Sequence, residues 1–111
     1  MIAQLTGMVV RSDGSSVVMD IGGVGYQVFV PATVLAALPE SGTKLTLLTH
    51  MIVREDELTL YGFAAQPDIQ AFKTLLGVSG VGPKVALALL SGLEVADLAR
   101  AVSDEGIWRT Q

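Results

Sequence analysis

Apolar and polar positions alternate with a period of two through the first part of the chain. From Ser16 to Ile21, Val17, Met19 and Ile21 alternate against Val18 and Asp20. From Gly25 to Val30, Tyr26, Val28 and Val30 alternate against Gln27 and Phe29. That period predicts half-buried antiparallel strands over Ile2 to Arg11, Ser16 to Ile21 and Gly25 to Val30. Ser12-Asp13-Gly14-Ser15 reads as a hairpin turn, with Asp-Gly as its signal. Gly22-Gly23-Val24-Gly25 joins the second stretch to the third. It lacks the Gly-x-Gly-x-x-Gly spacing and the following helix of a phosphate-binding loop, so it is read as a turn. Thr33 is expected to cap a short helix, Val34 to Leu38, ended by Pro39 and Gly42. Lys44 to Val53 and Leu58 to Phe63 supply two more strands. Between them Arg54-Glu55-Asp56-Glu57 is too polar for a sheet interior and should protrude as a hairpin tip.

The period lengthens to that of a helix after Gln66-Pro67-Asp68, which is therefore the expected boundary between a strand domain, residues 1–65, and a helical domain, residues 66–111. Pro67 opens a helix running through Phe72, Leu75 and Leu76. Leu75 to Leu90 then reads as helix, glycine hairpin, helix, with Pro83 suited to a first helical position and Ser91-Gly92 as the stop. A third helix is expected over Glu94 to Val102, while Ser103 to Gln111 has no evident element. Leu87, Leu89, Leu90, Leu93 and Leu98 are core or interface leucines, because no heptad is sustained. Five short strands with one small helix after the third suit a closed five-stranded barrel close to the OB fold. The expected architecture is therefore a β barrel followed by a small α domain.

Composition narrows the classes. Half of the 111 residues are hydrophobic and 16% are charged, so general disorder is excluded and apolar surface is expected to face a partner subunit. No apolar run is long enough to span a membrane, and the start lacks a basic region followed by a long apolar core. With no cysteine there is no disulfide or thiolate site, and the cytoplasm is the default location. A net charge of −4 argues against a uniformly basic nucleic-acid binder. Positive charge would have to be local: Lys73 and Lys84 flank the glycine hairpin, while Glu55, Asp56 and Glu57 concentrate acidity elsewhere.

The hairpin carries the sharpest chemistry. Glycines let a backbone turn tightly and let a ligand approach. The start of a helix presents unpaired N–H groups and the positive end of its dipole, a site for an anion, and Lys84 adds a formal charge beside it. The string from Leu76 to Ala86 resembles the helix-hairpin-helix motif. The resemblance implies that the amides of Gly80, Val81 and Gly82, with Ser79 and Lys84, bind a DNA phosphate without reading bases. The competing reading is an ordinary turn between packed helices with Val81 and Val85 as core, and the two are compatible.

Gly22-Gly23-Val24-Gly25-Tyr26, Val53-Arg54-Glu55-Asp56, Leu60-Tyr61-Gly62-Phe63 and Gly80-Val81-Gly82-Pro83-Lys84 in this order resemble the RuvA family, bacterial Holliday-junction-binding subunits, over about residues 1 to 105. The resemblance implies a homotetramer that binds four-way junction DNA in recombination and repair. It also implies an OB barrel followed by two helix-hairpin-helix motifs, and a linker leading to a third domain that engages the hexameric ATPase RuvB, with the resolvase RuvC as a further partner of the complete family member. Such a subunit hydrolyses nothing and needs no cofactor, since ATP belongs to the motor. The carboxylates matching the family's acidic pin are Glu55 and Asp56. Placed at the junction crossover they would repel phosphate and favour strand separation. The second hairpin, expected just after Ser103 to Gly106, is not found in this sequence, nor are the linker and motor-binding domain. The resemblance thus implies an intact barrel and first hairpin with impaired branch migration.

Two other classes stay open. A helix-hairpin-helix enzyme would need a catalytic pocket or clustered carboxylates for a metal. Glu55, Asp56 and Glu57 are adjacent on a strand-like tip and point apart, so no metal site is expected there. A protein-interaction module without DNA binding would suit the acidic balance. His50, a lone histidine in a strand, is expected to pack rather than catalyse or bind metal. Tyr26, Tyr61 and Phe63 have the strand positions of core residues, although OB folds also stack bases on aromatics.

Overall fold

The structure, a computed structural model, describes residues 1–92. The helix expected over Glu94 to Val102 lies outside the described residues. Five strands close into a barrel: β1 (Gln4–Ser12), β2 (Ser16–Ile21), β3 (Val24–Phe29), β4 (Lys44–Val53) and β5 (Leu58–Phe63), in the spatial order β1-β2-β3-β5-β4. All pairs are antiparallel except β3 with β5. The helix α1 (Ala32–Ala36) sits between β3 and β4, so strand order and insertion are those of an OB-like barrel.

Closure rests on long strands shared between neighbours. The first half of β1 pairs with β4 from Gln4↔Leu48 to Met8↔Lys44, and its second half pairs with β2. The register shifts between Val9 and Arg11, a bulge that bends β1 from one partner to the other. Ser41 Oγ donates to Val10 O at 3.0 Å and Gly42 N–H donates to Val9 O at 2.7 Å, so the loop before β4 takes up the carbonyls around the bulge.

Turn chemistry follows the sequence with one change of mechanism. Gly22 (φ 62°) and Gly23 (φ 90°) form the two-residue link between the paired Ile21 and Val24, a left-handed geometry that glycine alone adopts freely, and Asp20 Oδ1 accepts the Gly23 N–H at 2.8 Å. The β1–β2 turn does not use Gly14 in that way, since Gly14 is not among the positive-φ residues. It is held instead by the Asp13 carboxylate, whose Oδ1 accepts the N–H groups of Ser15 and Ser16, both at 2.8 Å. These donors also hold the Asp13 carboxyl below its ordinary pKa of 3.8.

The inserted helix starts and ends earlier than expected, at Ala32 and Ala36 rather than Val34 and Leu38. Thr33 does not cap α1: Pro31 occupies the N-cap without a side-chain hydrogen bond, and the helix starts at Ala32. The Ala32 N–H is satisfied from a distance, by Ser91 Oγ at 2.8 Å. Ser91 and Gly92, expected as a stop, are themselves helical and are the last described residues, with Ser91 Oγ donating to Leu87 O at 2.7 Å. One hydroxyl therefore ties the barrel's inserted helix to the helical part.

Two apolar clusters organise the chain. Leu5, Val9, Val17, Met19, Val28, Val30, Val34 and Leu47 fill the barrel. The helices α2 (Gln66–Leu76) and α3 (Pro83–Gly92) cover its outside through Tyr61, Phe63, Ile69, Phe72, Leu75, Ala86 and Leu90. Phe72 is the hub: its ring centroid lies 4.8 Å from that of Phe63 and 5.3 Å from that of Tyr61. His50 meets Phe72 edge-on at 6.0 Å. Burial and then the charge of Lys73 hold His50 below its ordinary pKa of 6.5. Phe63 is fully buried and Tyr61 nearly so, which removes both from base stacking, while Tyr26 is half-buried against the barrel core.

Candidate nucleic-acid interface

The segment between α2 and α3 is built by backbone hydrogen bonds. Gly77 caps α2 in a right-handed conformation, its N–H donating to Thr74 O at 3.1 Å, and Val78 N–H donates to Leu75 O at 2.9 Å. The turn Val78-Ser79-Gly80-Val81 closes with Val81 N–H donating to Val78 O at 3.1 Å. Gly80 sits in its third position at φ 84°, the site where a type II turn demands a left-handed residue. Pro83 then opens α3, and Gly82 O accepts the Ala86 N–H at 3.0 Å.

This wiring decides which amides face outward. The Val81 N–H, expected among the anion donors, is consumed inside the turn, and its side chain packs half-buried against the helical core. Among the described residues, the N–H groups of Gly80, Gly82, Lys84 and Val85 have no protein acceptor. A Cβ built at Gly80 or Gly82 would meet nothing within 4 Å, and both glycines are exposed. Ser79 and Lys84 are exposed beside them. Val85, expected in the core, is 46% exposed instead, because it faces away from the Ala86 and Leu90 stripe.

The acidic tip is set by strand register. Val53 pairs with Leu58, and Arg54 N–H donates to Glu57 O at 2.8 Å, which leaves Glu55 and Asp56 as a two-residue loop at the end of the β4–β5 hairpin. Both are exposed to solvent. Ile52, one position back, packs against the helix-facing core and anchors the hairpin. Thr59 Oγ1 donates to Glu57 Oε1 at 3.3 Å, so the third carboxylate folds back toward β5 rather than joining the tip. Among the described residues no three potential ligands are grouped to hold a metal ion.

The start of β5 and the start of α3 share a groove. A cavity of about 1020 Å³ between the β3–β5 seam and α3 includes in its lining Glu57 from the base of the tip, Tyr26 and Phe29 from β3, Tyr61 from β5, and Lys84 from the hairpin. Glu57 and Lys84, far apart in the chain, are thereby brought to one surface feature, which periodicity alone does not reveal. A second cavity, about 450 Å³, lies on the β1-β2-β3 surface and includes Arg11, Asp13, Asp20 and Gln27 in its lining. OB folds commonly bind oligonucleotides on that side. Here two carboxylates oppose one guanidinium, a poor setting for a polyanion. Sequence reasoning also passed over Val53 and Leu58, which are 61% and 67% exposed. The signal was available: both continue the strands' apolar positions directly up to the acidic tip.

The sequence matches the family model for the RuvA N terminal domain over residues 1–62, and that for a SAM-like helix-hairpin-helix tandem over residues 72–106. It is 47% identical over 109 residues to the Holliday junction branch migration complex subunit RuvA of Delftia acidovorans, covering 98% of this chain and 57% of that protein. To the protein of the same name from Leptothrix cholodnii it is 50% identical over 103 residues, covering 93% of this chain and 54% of the relative. The Bordetella pertussis protein of that name is 45% identical over the same shares. The chain spans about half the length of the curated relatives it matches.

Proposed function

We infer the function from a family premise: this chain belongs to the RuvA family, on the match of its barrel and on its relatives. It acts as a structure-specific DNA-binding subunit that holds a four-way junction, as a homotetramer, for an ATP-driven branch-migration motor of the RuvB type, with RuvC as a further partner. The work belongs to recombination and repair in the cytoplasm. ATP hydrolysis is the motor's, and this chain is a non-catalytic subunit without a cofactor.

One observation carries the reading: the turn before α3 leaves the N–H groups of Gly80, Gly82, Lys84 and Val85 without a protein acceptor among the described residues, beside the exposed Lys84 side chain. The amides of Gly80, Gly82, Lys84 and Val85, with the Lys84 ammonium and the Ser79 hydroxyl, suit one phosphate, a contact that positions a duplex without reading its sequence. Val81 supports this indirectly, by closing the turn that exposes its neighbours. Glu55 and Asp56 would repel phosphates that approach the crossover, so duplex continuing straight across the tip is disfavoured while arms that diverge around it are accepted. Fourfold repetition would multiply both effects, and preference for junction shape follows from geometry rather than from base contacts.

A salt titration of binding to a synthetic four-way junction, beside a linear duplex of equal length, tests this, with the mass in solution recorded on the same sample. Junction preference by a tetramer, weakening as salt rises, is expected. Lys84→Glu should weaken binding to both DNAs and reduce the salt slope by about one unit per hairpin contact. Equal weak binding of junction and duplex by a monomer would sink the reading.

A further inference from the structure

We propose that the exposed pair Val53 and Leu58 forms an apolar collar at the base of the acidic tip, and that this collar receives the face of an unpaired base at the junction crossover. The proposal rests on the junction-binding reading above and deepens it.

The argument starts from register. Val53 and Leu58 lie directly opposite each other across β4 and β5, so their side chains share one face of the hairpin. The preceding pair, Ile52↔Thr59, points to the other face, where Ile52 is held in the helix-facing core. On the collar's own face the next pair inward is Met51↔Leu60, already half-buried, and beyond it stand Thr49 and Leu47 inside the barrel. An apolar row thus runs out of the barrel and ends in two side chains more than half exposed, immediately before two carboxylates. A solvent tip needs the carboxylates but not the row.

The occupant follows from charge. Glu55 and Asp56 repel phosphate, so a nucleic-acid backbone is not what settles on the neighbouring apolar pair. A base face carries no charge and is itself apolar, and proteins that hold opened base steps commonly do so with an inserted leucine, isoleucine or similar wedge. Tip and collar then act on different parts of each strand. The carboxylates turn the backbones aside, and the collar takes over part of the contact that a base loses when it leaves its stack.

The experiment uses the full chain and a four-way junction with 2-aminopurine at the crossover, a base whose fluorescence rises on unstacking. Wild type should raise the signal on binding. The double variant Val53→Thr with Leu58→Ser keeps strand propensity at position 53 and acts at two positions that are more than half exposed. It should bind the junction about three- to tenfold more weakly. Its fluorescence rise should be smaller, with linear-duplex affinity and thermal midpoint unchanged, and Leu58→Met should restore both junction readouts. Unchanged affinity and fluorescence in the double variant would overturn the collar while leaving junction binding intact. A lower mass in solution for the double variant would overturn it in favour of a second copy covering the patch. If wild type shows no preference for the junction over duplex, the functional reading falls and the collar with it.

Discussion

The β4–β5 tip and the α2–α3 hairpin are both short exposed turns, and they present opposite charges by different means. At the tip the working groups are side chains. Their place follows from strand register, and no residue there adopts a positive φ. At the hairpin the working groups are backbone amides, and their direction depends on Gly80 standing at φ 84° and on Val81 N–H closing the turn behind it. A side-chain site tolerates changes in its frame and fails when its charges are replaced. A backbone site has the reverse sensitivity: it fails when the turn is altered, and many side chains around it are replaceable.

The largest expected effect abolishes the comparison by removing what both turns stand on. Phe72 joins α2 to Phe63 and Tyr61 of β5 and to His50 of β4. Phe72→Ala should cost about 3–5 kcal/mol, measured by urea denaturation, and should loosen tip and hairpin together. A loss below about 1 kcal/mol would show that the helices do not lean on this ring.

Gly80→Ala separates the two sites. A β-carbon there meets no neighbour, so the cost is purely that of a left-handed alanine, about 1–2 kcal/mol. DNA affinity should fall while the tip stays in place. Retained affinity at every salt concentration would mean that the Gly80 turn does not set the phosphate contact.

Neutralising the tip with Glu55→Gln and Asp56→Asn should leave stability within about 0.5 kcal/mol, because both residues are exposed. Linear duplex should bind more tightly and junction preference should shrink. An unaltered ratio of the two affinities would remove the pin from the mechanism.

The smallest effect is pH dependence of the frame. His50 has a folded pKa below 6.5, so between 6.5 and that lower value the unfolded chain binds more protons. Its contribution is full above pH 6.5 and lost as pH falls. Asp13, with a folded pKa below 3.8, adds a separate loss as pH falls further. Denaturation midpoints followed from about pH 8 downward should decline in that order, and His50→Gln should flatten the upper step only. An unchanged upper step in that variant would assign it to another group.

Much of this architecture is legible in the chain because its causes are local. Lys44–Val53 and Leu58–Phe63 are readable to the residue, since an apolar stretch on each side stops at a four-residue polar run. Gly22-Gly23 announces its own turn. The inserted helix departs from its local signal: Thr33 has the chemistry of a cap, yet the Ala32 N–H is satisfied by Ser91, 59 residues away. Capping by a distant hydroxyl leaves no mark in the neighbouring sequence.

The sequence by itself determined the strand and helix periods, the glycines at left-handed positions, the acidic tip and the Gly80 to Lys84 string, because each depends on residues within a few positions of one another. Tertiary structure alone decided that Val81 N–H turns inward, that Val85 and the Val53–Leu58 pair remain in solvent, and that Glu57 and Lys84 line one groove. Those outcomes depend on how the helices seat against the outside of the barrel around Phe72. Packing of that kind is settled by the joint shape of many side chains far apart in the chain, which no local pattern encodes.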